Sequence, residues 1–300
     1  MLKIRTSAVA LAASALVCLG AATPASAAAI EDSWGPITRL ETTPDLQCAA
    51  DVSIRWPEPT ALNLGTACAT FAAIGDNVIA PANGPRGRLL PNATSGIGNY
   101  RDPRTITTVV TGGGLELTQT DKYGLGTSSF KTSIQVRNTS TAALAPIIYR
   151  GIDCSGPNDW SFPDDATGDG SVVCRSPDGE VTGPGGMGLT RGVHIMQLIP
   201  LTLDSHYENS SIRQVWGHIC AGSELHDMTA DPNLPLDQAM ALSWKLDLQP
   251  GASKTIGFQT HFSLTDTRAL PTTIDVSPAV DGTSTVTLSF GTPANPGPLP

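Results

Sequence analysis

Residues 129–137 alternate without a break between core-type and polar side chains, and this run constrains the fold more than any other feature. The core-type positions are Phe130, Thr132, Ile134 and Val136, and the polar positions are Ser129, Lys131, Ser133, Gln135 and Arg137. A period of two places successive side chains on opposite faces of a strand, so one face is buried and the other is solvated. Polar residues 138–141 predict a turn. The apolar run 144–149 then predicts an antiparallel return strand that ends at Asp153 and Cys154.

Short runs of the same kind, separated by glycine and proline, recur along the chain. The predicted strands are 70–74 with 78–80 as a hairpin, 105–110 with 115–120, 193–203, 213–220, 242–248 with 256–262 as a hairpin, and 285–290. Residues 227–241 are predicted to hold one short helix, and Trp244 and Phe258 are predicted core residues. Many short strands with almost no helical periodicity predict an all-β fold, a large antiparallel β-sandwich with long loops. The sequence shows no repeat of fixed period, which argues against a propeller or a solenoid.

The N-terminus has the pattern of an export signal. Lys3 and Arg5 precede an apolar stretch at 8–19, and Ala25-Ser-Ala27 is typical of a cleavage site. We therefore expect a signal peptide at 1–27, a single sandwich domain at 28–265, and a terminal strand with a Pro/Gly-rich tail at 266–300. The predicted location is secreted or extracellular.

The charge of the chain limits its partners. The formal net charge is −9, and cleavage after Ala27 would remove Lys3 and Arg5 but no acidic residue. An acidic surface with few lysines argues against nucleic acid and anionic membranes as partners. No apolar run after residue 27 approaches the roughly 20 residues of a membrane span.

Five of the six cysteines would remain in the mature chain. Disulfides are the expected state of cysteines in an exported protein, and no C-x-x-C pair supports the alternative of a metal site. The pairs closest in sequence are Cys48–Cys68 and Cys154–Cys174, although sequence leaves other pairings open. Cys220 would then be a free thiol, expected to be buried in the strand 213–220.

Several motifs together resemble a domain type found in secreted actinobacterial and other bacterial surface proteins. The matching segments are Thr43 to Cys48, Thr66 to Phe71, Asp121-Lys-Tyr123, Ser129 to Val136, Asn138-Thr139, Tyr149-Arg-x-x-Asp153-Cys154, Leu242-Ser-Trp-x-Leu246 and Gly251-Ala-Ser253. The resemblance covers most of residues 40–265. It implies a single compact β-sandwich, often beside adhesive or repeat modules, and it implies little about activity.

A weaker likeness is to the large sandwich of the aldose mutarotases. The strand and turn Val136-x-Asn138-Thr-Ser140 is similar to theirs. Those enzymes need a histidine as general acid soon after this turn, where the present chain has Ile147, Ile148 and Tyr149. The likeness therefore implies the fold and not the chemistry.

The segment between Cys154 and Cys174 holds the candidate binding residues. Asp159, Trp160 and Phe162 place aromatic rings beside a carboxylate, as sugar-binding surfaces do, and the alternative is a tryptophan packed over the sandwich edge. The second candidate is a weak calcium loop at Asp164, Asp165, Thr167 and Asp169, followed by Gly170. Its terminal Glu position is Ser176, so the expected Kd is about 10⁻⁴–10⁻³ M, and the alternative is a solvated turn.

The sequence assigns no catalytic residue. The five histidines, His194, His206, His218, His226 and His261, form no metal-binding motif, and no G-x-S-x-G elbow is present. His206-Tyr-Glu208 could pair an imidazole with a carboxylate, or it is a polar loop. We predict a secreted, non-catalytic module that binds a surface glycan or a protein. The alternatives are a carbohydrate-active enzyme of the epimerase, lyase or hydrolase kind, and a purely structural extracellular domain.

Overall fold

The structure is a computed structural model, and it describes residues 27–33, 35–52, 66–75, 77–79, 88–89, 93–99, 101–154, 162–164, 170–175, 181–182, 188–189, 195–231 and 237–263. The predicted signal peptide, Ala27 apart, and the predicted strand and tail at 266–300 lie outside these residues. No helix among the described residues is long and apolar enough to cross a membrane.

Two nine-stranded sheets make up most of the described chain. Sheet I holds, in spatial order, β1 (Ala28–Glu31), β2 (Ile37–Thr42), β3 (Gln47–Val52), β4 (Thr66–Ile74), β11 (Ile147–Asp153), β19 (Gln238–Lys245), β17 (His206–Ser211) and β18 (Met228–Thr229), with β5 (Asn77–Ile79) paired to β4. Its pairs are antiparallel except that of β17 with β18, which is parallel.

Sheet II is antiparallel throughout. It holds β12 (Phe162–Asp164), β13 (Val172–Arg175), β16 (Ile195–Pro200), β20 (Ser253–Ser263), β10 (Ser129–Asn138), β9 (Leu115–Tyr123), β8 (Arg104–Gly112) and β6 (Arg88–Leu89), with β7 (Ala93–Ser95) paired to β8. A separate two-stranded pair joins β14 (Val181–Thr182) to β15 (Gly188–Leu189).

The apolar faces of the two sheets pack against each other, which confirms the predicted all-β sandwich. In β10 the buried residues are Phe130, Thr132, Ile134, Val136 and Asn138, as the alternation of the sequence requires. Trp244 from sheet I and Phe258 from sheet II are both buried, and their ring centroids lie 6.0 Å apart.

Two of the predicted hairpins are wrong. β10 pairs with β9 and β20 in sheet II, whereas β11 pairs with β4 and β19 in sheet I. In the same way β19 belongs to sheet I and β20 to sheet II. The turns at 139–146 and 246–252 therefore carry the chain from one sheet to the other. The two strands that flank each turn face each other across the sandwich, so both can still bury their apolar side chains in the core between the sheets. The predicted hairpin β4–β5 is confirmed, and the predicted strands 105–110 and 115–120 are β8 and β9, which pair antiparallel.

The segment predicted as strand 213–220 is instead the helix α1 (Ile212–Cys220). It packs on the outer face of sheet I, where Val215 and Ile219, one helical turn apart, are buried against Tyr149 and neighbouring alanines. Cys220 is exposed at the end of this helix, so its predicted burial is wrong. The helix predicted within 227–241 is also wrong for the described part, which holds β18 and the start of β19.

Gly151 in β11 allows the helix to approach the sheet. A Cβ atom at this position would lie 2.2 Å from the Trp216 ring of α1, so only a glycine lets this ring lie on the strand.

Both predicted disulfides are present. Cys48 and Cys68 are direct cross-strand partners of β3 and β4 within sheet I. Cys154, directly after β11 of sheet I, is joined to Cys174 in β13 of sheet II. This second bridge connects the two sheets and closes the segment 155–173 at its base.

Candidate functional site

The residues predicted to bind a glycan or calcium fall largely outside the described chain. Asp159, Trp160, Asp165, Thr167 and Asp169 lie outside it. For Phe162 and Asp164 the structure gives the backbone of β12 and not the side chains. These assignments remain predictions, and the described ends of the segment show only that its base is fixed by the Cys154–Cys174 bridge.

Strand β17 lies at the same edge of the sandwich as this base. Asn209 of β17 donates a hydrogen bond from Nδ2 to the carbonyl oxygen of Val173 in β13, at 2.7 Å. Tyr207 also packs towards the core between the sheets. Because side chains alternate along a strand, His206, Glu208 and Ser210 are directed to the outer face of sheet I.

Helix α1 starts directly after β17 and folds back over this outer face. The Ser211 hydroxyl caps the helix by accepting a hydrogen bond from the backbone N–H of Gln214, at 3.4 Å. Burial of Val215 and Ile219 fixes the rotation of the helix about its axis. His218, three residues after Val215, therefore faces β17, and its Nδ1 lies 2.7 Å from Oε2 of Glu208.

The segment after the helix returns along the edge of β17. Gly222 turns the chain with a φ of +65°, and a Cβ atom there would lie 2.2 Å from the carbonyl oxygen of Gly75. Leu225 is buried under the helix, and His226 is exposed beside His218. The two imidazole rings meet edge to face, with centroids 4.6 Å apart and planes 79° apart.

Asp227 holds this segment against β17. Its φ of +51° is unusual for a residue with a side chain, and two contacts fix it there. Its Oδ1 accepts a hydrogen bond from the backbone N–H of Tyr207 at 2.9 Å, and its Oδ2 lies 2.8 Å from Nδ1 of His206. These bonds also place His226, the preceding residue, over the end of α1.

Glu208 is the buried member of the cluster Glu208–His218–His226. The residue is 0% exposed, and Oε2 contacts His218, whereas Oε1 is buried without a hydrogen-bond partner among the described residues. The three side chains each offer a ligand atom, and these atoms lie within 4.8 Å of one another. One carboxylate and two imidazoles form a donor set that suits zinc and similar divalent ions.

A second group of charges lies on the rim of this cluster. Lys245 Nζ contacts Glu224 Oε1 at 2.9 Å. The hydrogen bond from Lys245, together with the charges of Lys245 and His206, lowers the pKa of Glu224. The rim is thus a set of paired surface charges that adds little to stability.

The pairing of His206 with Glu208 suggested by the sequence does not occur. Both side chains lie on one face of β17, but His206 contacts Asp227 and Glu208 contacts His218. Sequence reasoning missed His218 and His226 as neighbours of Glu208. The available signal was the cap Ser211 followed by Val215 and Ile219 at a spacing of four, which indicates a helix.

Comparisons with known proteins show limited similarity. No protein-family model matches the chain, and no curated protein sequence matches it. A mutant of the heparan sulfate lyase HepC from Pedobacter heparinus matches 81% of this chain and 36% of its own length, with 6% identity and a TM-score of 0.46. A GH36 alpha-galactosidase, AgaA from Geobacillus stearothermophilus, matches 79% and 41%, with 11% identity and a TM-score of 0.37.

A galactose mutarotase related enzyme from Lactobacillus acidophilus matches 82% of this chain and 100% of its own length, with 8% identity and a TM-score of 0.33. The chain spans only about a third of the lyase and about two fifths of the galactosidase. These similarities assign neither an activity nor a substrate to the chain.

Proposed function

We propose that the chain is an exported β-sandwich module that binds a surface glycan or an extracellular protein without transforming it. The proposed binding surface is the edge where the segment closed by Cys154 and Cys174 meets β17. Export is supported by the two disulfides, which persist in oxidising compartments.

The burial of Glu208 is the observation that carries the non-catalytic assignment. A general acid or base must come within hydrogen-bond reach of its substrate. Glu208 is the carboxylate that two imidazoles surround, yet it is 0% exposed and lies beneath α1. The Glu208 carboxylate therefore contacts neighbouring side chains and is out of reach of a bound sugar.

The architecture of the edge suits presentation of a binding loop. The Cys154–Cys174 bridge joins both sheets at the base of the segment, and Asn209 ties β13 to β17. Binding residues concentrate on loops that a rigid scaffold holds in place, and a closed base lowers the entropy lost when the loop orders around a ligand. Trp160 with Asp159 is the proposed sugar-contacting pair, with Phe162 beside it.

One observation favours the enzyme alternative. The side chains of His206 and Asp227 form an imidazole–carboxylate pair in which both are partly exposed, at 43% and 45%. Such a pair is suited to moving a proton at the surface. A carbohydrate-active enzyme would use this pair, and not Glu208, as its acid–base group.

A glycan array with the mature chain, residues 28–300, tests the proposal. We expect binding to a defined glycan class, loss of binding in Trp160→Ala, and retained binding in the matched control Trp160→Phe. Chromatography of the bound glycan after long incubation should return it unchanged. Cleaved or epimerised glycan that disappears with His206→Ala would establish the enzyme alternative. An array and a cell-surface protein panel that both stay blank would leave the structural-domain alternative.

A further inference from the structure

We propose that Glu208, His218 and His226 form a binding site for one divalent transition-metal ion, with Zn²⁺ as the best-fitting ion. The site lies on the outer face of sheet I, at the junction of β17, α1 and the segment 223–227. It is separate from the glycan contacts proposed above, which lie on the segment between Cys154 and Cys174.

The strongest sign of a missing ligand is the carboxylate of Glu208. Buried polar atoms almost always have hydrogen-bond partners, and an unpaired buried carboxylate oxygen is costly. Oε2 of Glu208 is satisfied by His218, but Oε1 is buried and has no partner among the described residues. A cation between Glu208 and the imidazoles would satisfy this oxygen.

The distances fit a small ion after modest side-chain rotation. Zn²⁺ binds imidazole nitrogen and carboxylate oxygen at about 2.0–2.2 Å, so tetrahedral ligand atoms lie about 3.4 Å apart. The ligand atoms of the cluster lie within 4.8 Å of one another, and the contact between His218 and Glu208 is 2.7 Å. His226 is exposed and His218 is 29% exposed, so both rings can turn, whereas Glu208 is fixed.

The donor set selects the class of ion. Ca²⁺ and Mg²⁺ prefer sites made of oxygen ligands, whereas two imidazoles and one carboxylate suit Zn²⁺ and neighbouring first-row ions. The ion would take the place of the hydrogen bond between His218 Nδ1 and Glu208 Oε2, and a carboxylate that binds it through both oxygens would also satisfy Oε1. Because His226 is exposed, the fourth coordination position faces solvent and would hold water or a partner's ligand.

The ion would also cross-link β17, α1 and the segment 223–227. Glu208 belongs to β17, His218 to α1 and His226 to the returning segment. Metal bound to the native state alone raises the melting temperature. At free Zn²⁺ about 100 times the Kd, we expect Tm to rise by roughly 5–10 °C.

The test uses the mature chain, freed of metal with a chelator and then dialysed. Calorimetric titration with Zn²⁺ should give one site per chain, and Co²⁺ should give visible absorption typical of tetrahedral nitrogen and oxygen ligands. Loss of one ligand should weaken Zn²⁺ binding at least by the roughly 10–100-fold that loss of a supporting partner costs. We expect this loss in His226→Ala and Glu208→Gln.

His261→Ala, a half-buried histidine of sheet II, is the matched control and should bind Zn²⁺ as wild type does. His226→Ala decides the test if Glu208→Gln does not fold, because His226 is exposed. No Zn²⁺ binding by wild type, or equal affinity in wild type and His226→Ala, would overturn the proposal. Trp160→Ala should bind Zn²⁺ as wild type does. A failure of the glycan proposal can therefore be told apart from a failure of the metal proposal.

Discussion

The guanidinium carbon of Arg150 lies 5.1 Å from the centre of the Phe258 ring, so a charge from sheet I packs on an aromatic face from sheet II. Arg150 is 0% exposed, and its Nη1 donates a hydrogen bond to Thr70 Oγ1 at 3.2 Å. Burial lowers the pKa of Arg150 to about 10, while the charge of Asp121 acts in the opposite direction. Cation–π packing and a distant counter-charge together make this buried cation tolerable.

A chain of hydrogen bonds leads from Arg150 to Asp121 through the core. Thr70 donates to Gln119 Oε1 at 2.6 Å, and Gln119 Nε2 donates to Asp121 Oδ2 at 2.9 Å. Thr42 and Thr132 donate to the same carboxylate at 3.0 and 2.6 Å. Because these residues come from both sheets, the network fixes how the sheets are aligned.

The substitution Asp121→Asn should therefore be strongly destabilising. It keeps the shape of the side chain but removes the charge that acts on the buried Arg150, and its Nδ2 cannot accept the hydrogen bonds that Asp121 now accepts. Each buried donor left unpaired costs about 1–3 kcal/mol, so we expect a loss of several kcal/mol. Urea denaturation would measure this loss, with the exposed Asp247→Asn as control, expected within about 0.5 kcal/mol of wild type. Equal losses in the two variants would show that the charge of Asp121 does not support Arg150.

Trp244→Ala should cost about 3–5 kcal/mol because it removes a large buried ring from the core. Trp244 stacks on Phe258 across the sandwich, and its indole N–H donates to the Thr202 carbonyl oxygen at 3.2 Å. The next residue, Lys245, is exposed, so Lys245→Ala is a suitable control in the same thermal melts. A melt of Trp244→Ala that matches the control would contradict the assignment of this ring to the core.

The sequence predicted which face of each strand is buried better than it predicted which strands lie next to each other in a sheet. Alternation in β10 and β19 identified Val136 and Trp244 as inward-facing, and both are buried. Alternation carries no information about which strand lies alongside. The polar turn after Asn138 looked like a hairpin loop, but it leads to the opposite sheet because the return strand can bury its apolar face there equally well.

The helix α1 and the cluster around Glu208 could not be derived from alternation. Ile212 to Cys220 is rich in apolar residues and short, and such a run reads as a strand or a helix from composition alone. The cap Ser211 and the spacing of Val215 and Ile219 are local signals for the helix, and its position is set by packing on Tyr149 of β11, a residue far away in sequence. His218 and His226 approach Glu208 as a consequence of that packing, so no spacing motif marks the site.

The predicted calcium loop has its own test, independent of the zinc site. Asp164, Asp165 and Asp169 lie close in sequence, and repulsion among carboxylates favours a bound cation. Calorimetry with millimolar calcium should show weak binding, with a Kd of about 10⁻⁴–10⁻³ M, that is lost in the double variant Asp165→Ala/Asp169→Ala. Flat traces for both proteins would identify this loop as a solvated turn.

Cys220 should be the reactive thiol of the native chain 28–300. It is exposed at the end of α1, while Cys48, Cys68, Cys154 and Cys174 are held in disulfides. Thiol titration should give one equivalent both in native buffer and in denaturant without reductant, and none in Cys220→Ser. Additional thiols appearing on denaturation would show that a disulfide is absent in solution.

Two tyrosines should make the protein sensitive to alkaline pH. Burial raises the pKa of both Tyr123 and Tyr149 above the ordinary value of 10.0, and the charges of Asp32 and Glu224 respectively add to the effect. A folded-state pKa above the unfolded value means that the native state holds protons which the unfolded state has lost. The stabilisation is complete below pH 10.0 and is lost as the pH rises towards the folded values.

The variant Tyr149→Phe tests whether the raised tyrosine pKa makes the free energy of unfolding fall as the pH rises. The variant keeps the buried ring and removes one raised phenol, together with its hydrogen bond to the Ser223 carbonyl oxygen at 2.8 Å. Arg150, whose pKa is lowered to about 10 in the folded chain, has the opposite effect on the free energy of unfolding in the same pH range. In the unfolded chain Arg150 keeps a proton that the folded chain loses, so this residue makes the stability rise with pH. We therefore expect the free energy of unfolding to fall with pH above 10 in wild type and to fall less steeply in Tyr149→Phe, although the variant starts from lower stability. Urea denaturation at stepped pH measures both slopes, and parallel slopes would show that the Tyr149 phenol titrates alike in the folded and unfolded chain.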